Sequence, residues 1–136
     1  MPASVFKARP DNDPLKRKIL DEVGDLSGYE IANNELLCAI YLREEMTPGG
    51  IVLPHQNLKE DLYQAKAHLV LKMGPGCVFK NLDIQVHDWV VVKPSDAWSI
   101  FINTNPKILK IDEFVPCRMV YDDQIRARIS DPRLVW

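Results

Sequence analysis

The chain has no run of about eighteen apolar residues, which is what a membrane-spanning helix requires. Its opening stretch, MPASVFKARPDNDP, lacks the continuous apolar segment of a signal peptide, so a cytoplasmic site of action is expected, with no membrane partner. Cysteine is scarce: Cys38, Cys77 and Cys117 lie far apart, odd in number and without a C-x-x-C pair. A disulfide framework needs an even set and a zinc site needs close ligand pairs, so three free thiols are expected. His55, His68 and His87 are equally scattered, and no metal site is expected. An excess of one charge is missing too. Seventeen basic and nineteen acidic residues give a net charge of −2, which argues against nucleic acid as a partner, because phosphate binding needs clustered excess Lys and Arg.

Signatures of catalysis are also lacking. There is no G-x-S-x-G, and none of the five serines sits in a nucleophile elbow. Glu44–Glu45 and Asp122–Asp123 are sequence neighbours, which point to opposite faces of a strand and so read as solvated charges or caps. The GPG at 74–76 begins like a dinucleotide fingerprint, but Phe79 stands where the third glycine belongs and no Walker lysine follows. A tight turn at the end of a strand is its simpler reading. No enzymatic activity, catalytic residue or cofactor is expected.

What the sequence does contain is a single domain's worth of β signals. At 136 residues, 46% of them hydrophobic, it can bury a core without staples. The first thirty-four residues read as an extension with one short helix: Asp13 can cap, Pro14 suits the first helical position, Leu15, Ile19 and Val23 make a narrow stripe, and Gly24 is a stop. Such a helix packs on the body, packs on a neighbouring subunit, or stays loosely attached. From residue 35 the segments ELLCAIYL, AKAHLVLKM, DIQVHDWVVVK, WSIFIN and KILKI read as strands. PCRMVYDDQIRARI reads as a last strand, then a helical turn at Asp122–Asp123. Short strands between Gly, Pro, Asn and Asp clusters predict an all-β fold, a small and partly open barrel. Trp98 is expected in the core; Trp136 fits either the core or a subunit contact.

The stretch TPGGIVLP, residues 47–54, admits two readings. Proline and two glycines make a turn, and Ile51, Val52 and Leu53 after it can be an ordinary buried strand. Yet the run ends at Pro54, which removes a backbone donor, and the polar HQNLKEDLYQ that follows offers no clear strand to pair with. An apolar tripeptide between Gly-Gly and a polar tail also suits an exposed recognition arm.

Here the sequence resembles the GroES-type co-chaperonin family, through four segments in order across about residues 35–130. LLCAIYLREEMTPGGIVLP resembles the family's first strand and mobile loop, which places the loop at about 44–63 and matches Gly49, Gly50, Ile51, Val52 and Leu53 to its chaperonin-binding core. AHLVLKMGPG resembles the strand ending in V-x-x-V-G-x-G, and LDIQVHDWVVVKPSD resembles L-D-V-K-V-G-D-x-V-x-F. ILKIDEFVPCRMVYDDQIRARI resembles the closing stretch with its D-D-I motif. The resemblance implies a GroES-like β-barrel at 35–130, assembled into a homo-oligomeric ring of seven that caps a chaperonin cylinder. Each subunit would lower one loop onto the cylinder, and the cylinder, not this chain, would hydrolyse ATP.

Several features depart from that pattern. His87 stands where the family has glycine before Asp88. CVFKN, at 77–81, is shorter than the family's roof hairpin, KPSDAWSIFINTNP is longer, and residues 1–34 and the tail 131–136 are additions. These departures suggest a distant, phage-encoded relative acting in the host cytoplasm. They also leave a second class open: a virion or capsid assembly protein that reuses the barrel with no chaperonin partner, its N-terminal arm and tail clasping neighbouring subunits while Ile51–Leu53 inserts into a capsid protein or a sister chain.

Overall fold

The computed structural model describes residues 13–42, 45–46, 52–53, 63–108 and 110–136. Helix α1 (Pro14–Val23) comes first, followed by strands β1 (Glu35–Ile40), β2 (Glu45–Met46), β3 (Val52–Leu53), β4 (Ala67–Met73), β5 (Trp89–Val92), β6 (Trp98–Ile102), β7 (Val115–Tyr121) and β8 (Ile125–Ile129). Six strands form one antiparallel sheet in the order β6-β7-β1-β4-β5-β8, while β2 and β3 form a separate two-stranded sheet. The fold is β-rich, with one helix at its start, and the six-stranded sheet is not closed: no ladder joins β6 to β8.

Connectivity nevertheless forces that sheet to curl. Strands β7 and β8 stand four steps apart in the order, about 19 Å if the sheet were flat. Only Asp122–Gln124, a 3₁₀ turn, separates them. From Tyr121 to Ile125 the chain reaches at most ~14 Å, so the β1-β4-β5 segment must bend until β8 carries on where β7 ends. The Asp122 carboxylate holds this corner, accepting from Val78 N at 2.9 Å and from Asn34 Nδ2 at 3.1 Å. Those bonds keep its pKa below the usual carboxylate range.

The central strands are apolar on both sides, and each side has its own core. On one, Leu37, Ala39, Leu69, Leu71, Trp89, Ile102 and Cys117 pack with Val23, Leu15, Ile19 and Leu20 of α1 and with Val135 near the C-terminus. On the other, Leu36, Cys38, Val70, Val90, Val92 and Val120 surround Ile84. Helix α1 begins and ends with the residues its sequence indicates. Asp13 Oδ1 accepts from Leu15 N at 3.0 Å, Pro14 occupies the first turn, and Gly24, at φ +76°, returns its N–H to Leu20 O. Thr104 Oγ1 donates to the Val23 carbonyl at 2.7 Å, tying the helix end to the body. The segment behind it is tied down as well: Lys72 Nζ donates to the carbonyls of Leu26 and Tyr29, and Tyr29 Oη exchanges hydrogen bonds with the backbone of Asn103.

Three expectations need correction. Residues 107–111 form no strand among the described residues: Ile108 N bonds Asn105 O, and Ile111 opens a 3₁₀ turn. The side chains of Asn103 and Asn105 satisfy the local backbone, accepting from Asn105 N at 3.0 Å and Lys107 N at 3.1 Å, which favours a turn over a ladder. The closing segment is two strands rather than one, because the Asp122–Gln124 corner turns the chain into β8. Trp98 is 66% exposed, since it begins an edge strand beyond the cover of either core. At His87 the backbone takes φ +72°, so histidine adopts the left-handed conformation for which glycine is better suited. The GPG segment is a turn: Gly74 N and Gly76 N bond Glu35 O and Asn33 O, and a Cβ at Gly74 would run into the carbonyls of Ala32 and Asn33.

Candidate partner-binding arm and its root

The chain between β1 and β4 holds the residues singled out for partner binding. Gly49, Gly50 and Ile51 lie outside the described residues, as does most of the 44–63 loop. Val52 and Leu53 form β3, and their partners are Met46 and Glu45 of β2, in antiparallel register. The expectation that this segment lacks a strand to pair with is therefore corrected for Val52 and Leu53: their partner comes from the N-terminal flank of the arm. Among the described residues this hairpin shares no ladder with the six-stranded sheet. Val52 and Leu53 are thus not a core strand of that sheet.

Where the arm leaves and re-enters the body, the backbone is firmly held. On the outgoing side, Tyr41 N donates to Ala67 O at 3.0 Å. On the returning side, Ala65 is fully buried, and its carbonyl accepts from Arg118 Nη1 at 2.7 Å. The Lys66 carbonyl accepts from Val92 N at 2.9 Å and faces His68 Nδ1 at 2.9 Å. A carbonyl only accepts, so Nδ1 carries the imidazole proton, and Nε2 is left to accept from Arg118 Nη1 at 3.0 Å. His68 and Arg118 are 0% and 2% exposed, on the face that also carries Cys38 and Val70. Burial pushes the His68 pKa down to about 3, and the Arg118 cation acts in the same direction against the Lys66 hydrogen bond. The ring is neutral at physiological pH, which the bond from Arg118 requires. Burial also lowers the pKa of Arg118.

Sequence reasoning missed this pair. In the sequence His68 is one of three scattered histidines and Arg118 one residue inside a strand segment. The available signal was polarity out of phase with burial. In AHLVL and PCRMV each residue takes an interior position between apolar neighbours, where a histidine or arginine needs a partner.

Elsewhere there is little reactive chemistry. The three cysteines are free; Cys38 and Cys117 are buried, and burial raises both thiols, Cys117 to about 12, which keeps them protonated and inert. Among the described residues no group of three His, Cys, Asp or Glu side chains is placed to hold a metal ion, and no helix is long and apolar enough to cross a membrane. A groove of about 470 Å³ runs between Val78, Phe79 and Leu82 and the start of β8, but Asp122 at its rim is already engaged by Val78 and Asn34. No protein-family model matches the chain, and no curated protein matches it.

Proposed function

We propose that this chain is a co-chaperonin-like ring subunit that binds a chaperonin cylinder through the arm between β1 and β4. In this reading it is a binding protein and not an enzyme, working in the cytoplasm as a GroES-like homo-oligomer of seven. The observation that carries it is the separation of Val52–Leu53 from the six-stranded sheet, its ladder among the described residues being to Glu45–Met46. A strand needed for the core would join that sheet; one presented to a partner needs only a short hairpin. The ordered family-like segments supply the identity of the partner, and the pinned root at Ala65–His68 supplies a fixed base from which an arm can be presented.

The energetics suit reversible capping. Each docked aliphatic side chain would contribute roughly 1.5–3 kcal/mol by burial, less the cost of ordering the arm. One arm would bind weakly, and several on one ring would gain through effective concentration while each contact stays easy to release. The virion-assembly reading has less support. It calls on the N-terminal arm and the tail to clasp neighbours, whereas Leu15, Ile19, Val23 and Val135 pack into the chain's own core.

The test is a pull-down with chaperonin cylinder and nucleotide, comparing the wild-type chain with the variant Ile51→Ser/Val52→Ser/Leu53→Ser. Capture of the wild type and loss of the folded variant is the expected result. No capture of the wild type, or unfolding of the variant, overturns the reading.

A further inference from the structure

The two outer strands of the six-stranded sheet are protected very differently. Strand β8, IRARI, carries Arg126 and Arg128; charged side chains on an edge discourage pairing with another chain. Strand β6, WSIFI, has no charge, no proline and no break in its register with β7. Trp98, Ser99 and Phe101 are exposed, with Trp98 and Phe101 on opposite faces of the strand. Among the described residues the backbone of β6 makes no hydrogen bond to backbone beyond its ladder to β7. An unguarded edge bearing two exposed aromatic side chains is a template for strand addition.

We infer that β6 is a self-association edge: it pairs antiparallel with β6 of a second copy of this chain, about a two-fold axis through Ile100. Charge selects this occupant. A neutral apolar edge is best matched by another, and of the six-stranded sheet's two edges only β6 is one, since β8 carries Arg126 and Arg128, which an apolar strand would desolvate on pairing. The register follows from the strand itself. Centred on Ile100, all five residues pair, with Trp98 opposite the partner's Ile102 and Ser99 opposite the partner's Phe101. The two Phe101 rings then lie on a diagonal, within reach of each other. None of the five paired residues carries a charge, so no like charges meet within the ladder. Such an isologous contact doubles whatever unit carries it: two chains if the chain is otherwise monomeric, or two rings back to back if the proposed ring forms.

Native mass spectrometry and light scattering of the full chain test this with two double variants at exposed positions. Ser99→Lys/Phe101→Lys sets lysine against lysine on both sides of the axis, and the assembly mass should fall two-fold with the circular dichroism spectrum unchanged. Ser99→Glu/Phe101→Lys sets opposite charges against each other in the same register and should keep the wild-type mass. A wild-type monomer or single seven-membered ring overturns the pairing, and so does retention of mass by the folded double-lysine variant. A single ring would leave the co-chaperonin reading standing. Doubling without any capture by a chaperonin would support the edge and count against that reading.

Discussion

The chain builds two antiparallel sheets and secures them by opposite means. In the six-stranded sheet, β1 and β4 are sandwiched between two apolar cores, and the β4 end nearest the arm is further locked by buried polar groups on Ala65, Lys66, His68 and Arg118. In the two-stranded sheet, Glu45–Met46 and Val52–Leu53 have only each other for backbone pairing among the described residues. Stability should therefore reside in the body and its root, and partner binding in the arm. Mutations on the two sides of that boundary ought to have separable effects.

The largest effect is expected at the root. Arg118→Ala removes the donor to Ala65 O and His68 Nε2 and leaves a cavity on a buried face of the sheet. Each of the two buried neutral acceptors left without its donor costs about 1–3 kcal/mol, and the lost packing adds to that. Urea unfolding should show a loss of that order, and chaperonin capture should weaken too, since the base of the arm is freed. If the loss is under ~1 kcal/mol, the root is not a clamp.

Next comes a pH dependence with a defined sign. The folded chain holds His68 neutral, with its pKa pushed down to about 3, while an unfolded imidazole titrates near 6.5. Below pH 6.5 the unfolded state takes up a proton that the folded state refuses. This contribution is fully present above pH 6.5 and is lost as pH falls toward 3, by up to ~1.4 kcal/mol per pH unit. His68→Gln removes the titrating group, so the difference between its stability–pH curve and that of the wild type isolates this proton from the carboxylates. Parallel curves would mean that His68 is not held neutral by the fold.

A smaller effect should run the other way. His87 sits at φ +72° in the turn that leads into β5, bonded through its N–H to Val70 O. Left-handed backbone costs a non-glycine residue about 1–2 kcal/mol, partly offset in a glycine variant by the greater freedom of its unfolded chain. His87→Gly should raise the unfolding midpoint by the equivalent of about 0.5–1 kcal/mol and leave partner capture unchanged. A drop in stability would show that the histidine side chain contributes more than its backbone strain removes.

Much of the body was legible because the relevant physics is local. The cap, proline and glycine of α1 sit within one turn of the residues they serve, and β1, β4, β5 and β6 follow runs of β-branched and apolar residues. What was not legible depends on distant partners or on competition. KILKI has strand composition, yet Asn103 and Asn105 satisfy its backbone in a turn. Trp98 looks like core until the sheet order makes β6 an edge. His68 and Arg118 are fifty residues apart in sequence, and only the β4–β1–β7 pairing brings them onto one face. In the arm, Val52 and Leu53 were legible as a distinct apolar unit, whereas their pairing with Glu45–Met46 was not, because two residues are too short to leave a periodic signal.

The smallest expected effect on stability is the most telling for the comparison. Replacing Ile51, Val52 and Leu53 with serine removes three large apolar side chains, which from a packed core would cost at least 2–5 kcal/mol each. Among the described residues β3, Val52–Leu53, takes no part in the six-stranded sheet, so the triple variant should unfold within ~0.5 kcal/mol of the wild type in urea. If the proposed function holds, chaperonin capture should meanwhile be lost, since the three proposed contact side chains would be gone from every arm at once. A fall of several kcal/mol would place the tripeptide in a core and erase the boundary between arm and body. Unchanged stability with unchanged capture would keep the boundary and move the binding surface elsewhere, with the β6 edge next to be tested. Because the two readouts are independent, one variant separates a structural segment from a recognition segment.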